Sequence, residues 1–160
     1  MIEIVLAGPP MGKERVRFVR ATGRAFTPER TVNYEGRLAL AAQAVMAGRP
    51  LLTGPIRADV VVLMPITASK PRWWKLAAAV GAERPTKKPD WDNFGKILDA
   101  LNLIVWADDA QVVDGRVRKY FGERPGLVAR LTPITEQEQP PEWALAALSG
   151  MTTDDEGVLS

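Results

Sequence analysis

Residues 87–119 read KKPDWDNFGKILDALNLIVWADDAQVVDGRVRK. Two lysines and Pro89 introduce Asp90 and Asp92, followed directly by Asn93. Pro89 disfavours helix at Lys88, so the acidic pair enters as extended or turn residues. Asp92 then stands where an N-cap belongs, ahead of Phe94, Ile97, Leu98, Leu101, Ile104 and Val105 at helical spacing. Lys96 and Asp99 fall on the same helix face as Asp92. A turn at Trp106–Asp109 is expected to bring Asp108-Asp109 back toward the first pair, just before a strand-like run from Gln111 to Phe121.

Gathered carboxylates repel one another. At ~4 Å each pair costs on the order of 4 kcal/mol for an effective dielectric of 20. A divalent cation would neutralise such a cluster, and oxygen-only ligands point to magnesium or manganese rather than zinc.

The ordered combination KPDWDNFGKILDALN and VWADDAQVVDGRVRK resembles the core of the RusA family of Holliday-junction resolvases. The match is tight over about a fifth of the chain and looser as far as Leu131. The resemblance implies a RusA-like α+β fold, a small mixed β-sheet of about four strands with helices packed on it. It implies a magnesium-dependent endonuclease, with manganese able to substitute, that cuts four-way junction DNA as a homodimer. By motif position the family's essential acids fall on Asp90, Asp92 and Asp109, which would also hold the metal, and its essential lysine on Lys96. Lys119 aligns with a basic position frequent in the family. Trp91 stands where an aliphatic residue is usual, and Asn102-Leu103 replaces a common Asn-Gly.

Composition narrows the chemistry independently. The 160 residues contain neither cysteine nor histidine. Disulfides, thiolate metal sites and the commonest general base are therefore excluded, and any hydrolysis must rest on carboxylates, lysine and metal. The cysteine-free composition, with no signal-peptide pattern and no apolar run of membrane-spanning length, leads to the expectation of a cytoplasmic protein without a membrane partner. Residues 132–160 carry six acids and no Lys or Arg, so residues 1–131 hold 21 basic against 13 acidic residues, a balance of +8. A basic body around a concentrated acidic site suits a polyanionic substrate. We expect a nuclease domain over 1–131 and an acidic, flexible tail over 132–160.

Outward from the motif, Ile2 to Leu6 reads as a short strand halted by Gly8-Pro9-Pro10. Lys13, Arg15, Arg17, Arg20 and Arg24 then face a single acid, Glu14, in an alternating ribbon with a turn at Thr22-Gly23. Lys13, Arg15, Arg17 and Arg20 are candidate phosphate contacts, a solvated hairpin being the plainer alternative. Thr27-Pro28 starts a helix to about Ala47, with Val32, Leu38, Ala42, Val45 and Met46 as its buried face and Tyr34 as a half-buried aromatic, a base-stacking residue being the alternative. Ile56 to Met64 is an interior strand. Trp73 and Trp74 lie on a short helix after Pro71, one anchoring it and the other shielding it, with stacking on unpaired bases as the alternative. Lys87 and Lys88 would steer phosphate toward the acids. Gln111–Phe121 and Leu127–Leu131 read as a hairpin closed at Glu123–Gly126. Asp99 is read as orienting Lys96 rather than binding metal, with a purely structural i,i+3 pair as the equal alternative, and Asp108 as a weaker candidate than Asp109. A non-catalytic DNA- or junction-binding protein is the alternative function; a D-x-D sugar-nucleotide transferase lacks a nucleotide-binding framework at this length.

Overall fold

The computed structural model describes residues 1–15, 17–19 and 24–149. Strand β1 (Ile2–Ala7) buries Ile2, Ile4 and Leu6 on one face, as strict alternation dictates. β2 (Arg17–Val19) and β3 (Arg24–Phe26) form a separate antiparallel ribbon. Arg20 and the Thr22-Gly23 turn lie outside the described residues, as do Val16 and 150–160. Next come helix α1 (Glu29–Met46), strand β4 (Ile56–Pro65) and helix α2 (Arg72–Ala79). Helix α3 (Trp91–Lys96) runs into a 3₁₀ turn at Ile97–Leu101, and a second 3₁₀ turn spans Asp109–Gln111. β5 (Val112–Gly122), β6 (Gly126–Pro133) and helix α4 (Glu142–Ser149) complete the order. No described helix is long and apolar enough to cross a membrane.

The fold is α+β, with a four-stranded mixed sheet in the order β1-β6-β4-β5. β6 pairs antiparallel with β1 and β4, whereas β4 and β5 run parallel. The expected hairpin between β5 and β6 is therefore corrected, because β4 lies between them. β4 has the stronger claim to the interior: Ile56, Ala58, Val60 and Val62 are all buried, and both its edges carry ladder bonds. Residues 123–125 need only cross two strand spacings, ~10 Å, which three extended residues can span.

α1 lies on the sheet through Thr31, Tyr34, Leu38, Ala42 and Met46. Val32, expected on that face, is half-exposed, since it sits about 240° around the helix from Leu38 at 100° per residue. Tyr34 is fully rather than half buried. The helix stops at Ala47 (φ 45°) and Gly48 (φ 79°), both left-handed. On α2, Trp74 meets Phe121 edge-on at 5.0 Å between ring centres, while Trp73 is exposed.

The helix expected to continue from Asp92 to Val105 is shorter than its apolar pattern suggested. It tightens after Lys96, and the i, i+3 alignment of a 3₁₀ turn lets Phe94, Ile97, Leu98 and Leu101 all reach the core. Val105 and Trp106 then fold under, and the Trp106 indole N–H donates to Asn102 Oδ1 at 2.7 Å. Leu103 between them is exposed and left-handed at φ 63°. A side chain there is strained by about 1–2 kcal/mol, against about 0.5–1 kcal/mol of extra unfolded-state entropy for glycine. Leu103→Gly should therefore raise unfolding stability by about 0.5–1 kcal/mol. A lowered urea midpoint would contradict the strain.

Candidate active site

A hollow of about 930 Å³ opens between two stretches of chain. One wall is residues 10–15, which leave β1. The other is Lys88, Pro89, Asp90, Asp92 and Asn93 with Lys96, and Arg30 of α1 contributes at the side. The walls touch: the Lys13 amide donates to Asn93 O at 2.9 Å. Gly12 makes this approach possible, because a Cβ there would come within 2.8 Å of Asn93 Cβ and 3.1 Å of Pro89 Cβ.

Asp90, after a cis Lys88–Pro89 bond, occupies the N-cap position with extended backbone, but its side chain makes no capping bond. This corrects the placement of Asp92 as cap. The helix begins two residues earlier than that cap would place it, closed by the Asn93 amide on Asp90 O at 3.2 Å, so Asp92 lies in its first turn. There Asp92 accepts from Lys96 Nζ at 2.7 Å. The Lys96 hydrogen bond outweighs a slight desolvation and, helped by the ammonium's charge, holds the Asp92 carboxyl below the usual carboxylate range. Asp99 does not orient Lys96. It pairs with Lys13, whose ammonium also lies 3.5 Å from Glu35 of α1. Burial pulls the Lys13 ammonium down, but the hydrogen bond and charge of Asp99, with Glu35, more than offset it, so its pKa ends above that of a free lysine.

Asp109 is not in this hollow. It borders a smaller one, of about 180 Å³, beside Gly95, Leu98 and Arg116, and its Oδ1 lies 3.4 Å from Asn102 Nδ2. The return of the second acidic pair thus reaches the neighbouring hollow and no farther. The cause is local: the Asp108 carboxylate caps the 3₁₀ turn by accepting from Ala110 N at 2.8 Å. Gln111 Oε1 accepts from Asp108 N at 3.3 Å to close the box, fixing Asp109 as the turn's first residue. Among the described residues no three carboxylates gather as a metal-binding group. The donor set fits a hard divalent cation in kind, being carboxylate oxygen in a chain without His or Cys, but not in number at one point.

The other expected cations divide by surroundings. Arg15, Lys87 and Lys88 are exposed, Arg15 and Lys88 lining the hollow. Arg17 opens β2. Lys119 on β5 donates to Lys87 O at 3.0 Å and Pro89 O at 2.8 Å. Gly12, Arg30 and Glu35 escaped notice in the sequence. The Pro9-Pro10 pair marked a fixed path near Gly12, whereas nothing local announces Arg30 or Glu35, which depend on how α1 is rotated.

A family model described as Endodeoxyribonuclease RusA matches residues 7–132. A Bacillus subtilis (strain 168) protein described as uncharacterized, YqaN, is 36% identical over 141 residues, covering 84% of this chain and 97% of that protein.

The Asp92–Lys96 pair predicts a titration. Because the folded carboxyl is depressed, the pair's contribution is fully present above the ordinary carboxylate pKa and is lost as pH falls through the lower folded value. Lys96→Met should move the Asp92 carboxyl-carbon NMR midpoint upward, toward that of a free aspartate. An unmoved midpoint would mean that the pair does not form in solution.

Proposed function

The chain belongs to the RusA endodeoxyribonuclease family, and from that premise we propose that it is a magnesium-dependent enzyme resolving four-way DNA junctions by paired phosphodiester cuts. The observation that carries the reading is the placing of Asp90, Asp92 and Lys96 together on one wall of a hollow bordered by Arg15 and Lys88. Exposed cations around a pair of acids draw a phosphate backbone toward groups that would otherwise repel it.

The divalent cation that the family resemblance implies would supply charge neutralisation on the phosphate and activation of water; Asp90 and Asp92 would hold it on this wall, while Asp109, the third acid the resemblance implies, borders the neighbouring hollow and does not stand beside them. The chain's own groups supply the rest. Arg15 and Lys88 orient the backbone. Lys96 Nζ, held at Asp92, is within one side-chain swing of the same wall, where its proton can stabilise the leaving oxygen. A four-way junction has approximate two-fold symmetry, so two copies of the chain would present two equivalent sites for the paired cuts. The setting would be DNA recombination and repair.

An immobile synthetic junction, end-labelled on each strand, tests the proposal. Symmetric cuts should appear with magnesium and vanish with chelator. Asp92→Asn should keep junction binding and lose on the order of 10²-fold or more in rate, as removal of a charge-stabilising group does. Replacing Arg15 and Arg17 should instead flatten the salt dependence of binding by about 0.9 per lost phosphate contact. Tight binding without cleavage by the unaltered protein would favour the non-catalytic alternative.

A further inference from the structure

We propose that Lys13 and Lys119, cations flanking the acidic segment, are positioning residues that brace it rather than ligands of DNA phosphate. The inference rests on the nuclease reading for its catalytic consequence and on geometry alone for the bracing.

Lys119 grips the segment from the sheet side. Its ammonium has three N–H donors, and two are directed at the carbonyls of Lys87 and Pro89, directly before Asp90. A second anchor lies alongside: Arg84 Nε donates to Lys119 O at 2.8 Å, and its guanidinium sits 3.7 Å over the Tyr120 ring. Lys13 grips from the opposite wall. Its amide binds Asn93, its ammonium bridges Asp99 and Glu35, and Gly12 beside it lets the walls meet. One ammonium between two carboxylates leaves a local charge of the wrong sign for phosphate, so an incoming strand gains nothing by approaching Lys13. Both lysines tie chain to chain where the spacing between Asp90 and the facing wall is set. A misplacement of about 1 Å in such a site costs up to ~10²-fold in rate.

Lys13→Met and Lys119→Met separate the two roles. Junction affinity measured against salt without magnesium should keep its slope in both. Single-turnover cleavage at saturating junction should fall by about tenfold or more. Amide hydrogen exchange over 90–96, read without DNA, should quicken. Lys13→Arg, which keeps a cation able to reach both carboxylates, should recover most of the rate. Asp99→Asn provides a variant that retains the lysine: bracing predicts a rate loss like that of Lys13→Met, whereas a phosphate-binding Lys13, freed of its partner, would bind DNA more tightly at undiminished rate. A slope reduced by about 0.9 with the saturating rate intact would overturn the proposal. Should the unaltered protein bind junctions without cutting them, the nuclease reading fails by itself; unchanged exchange in both methionine variants would then separately refute the bracing.

Discussion

The parallel pairing of β4 with β5 is the constraint from which the place of the site follows. A strand joined to a parallel neighbour requires a crossover that carries the chain back along the sheet. Here residues 66–111 make that return, and they contain α2, α3 and both 3₁₀ turns. The crossover must also close the core: Phe94, Ile97, Leu98 and Leu101 pack in one cluster with Val60 and Val62. Each such burial contributes about 1.5–3 kcal/mol, whereas exposed carboxylates a few ångströms apart repel by only about 1–4 kcal/mol between bulk water and the protein surface. Burial therefore dictates the rotation of α3, and Asp92, Lys96 and Asp99 are turned outward as a consequence.

Turned outward, the acids are handled one at a time. Asp92 takes Lys96, Asp99 takes Lys13, and Asp108 is committed to a cap. The first two draw cations from two distances along the chain, four residues and eighty-six, and the third is satisfied by a backbone amide instead. On the far side of β5 the pattern differs. Arg118 holds Asp59 at 2.6 Å, and Arg57 is shared by Asp114 and Glu138. There charge is paired cation to acid between β4 and β5, whereas Arg15, Lys87 and Lys88 are exposed around the acidic segment.

What could be read in the sequence was what depends on near neighbours. The alternation of Ile2, Ile4 and Leu6, the interior character of β4 and the Asp92–Lys96 spacing are properties of short stretches, and each appears in the structure. The strand count and mixed sheet came with the family resemblance. What could not be read depends on partners far along the chain. Nothing between Gln111 and Leu131 reveals that β4 will intrude between two strands joined by so short a turn. Lys13 looked like one more cation in a basic arm, because Asp99 and Glu35 reach it only after α1 and the 3₁₀ turn have docked. Val32 was misassigned by taking apolar character for burial, when the stripe through Tyr34 and Leu38 had already fixed the angle.

Gly95 connects these threads. In a helix it costs about 1 kcal/mol relative to alanine. Yet a Cβ at that position would meet only Val117 Cγ2, at an ordinary 3.9 Å, so packing does not demand glycine. Stability alone would choose alanine. What the absent side chain provides is clearance: Gly95 lies three residues beyond Asp92 and borders the hollow of Asp109. A side chain there would narrow that hollow on the helix that also carries Asp92. A residue that weakens a six-residue helix without relieving any clash is best understood by the space it leaves clear, and that space lies on the helix shared by the two acidic hollows.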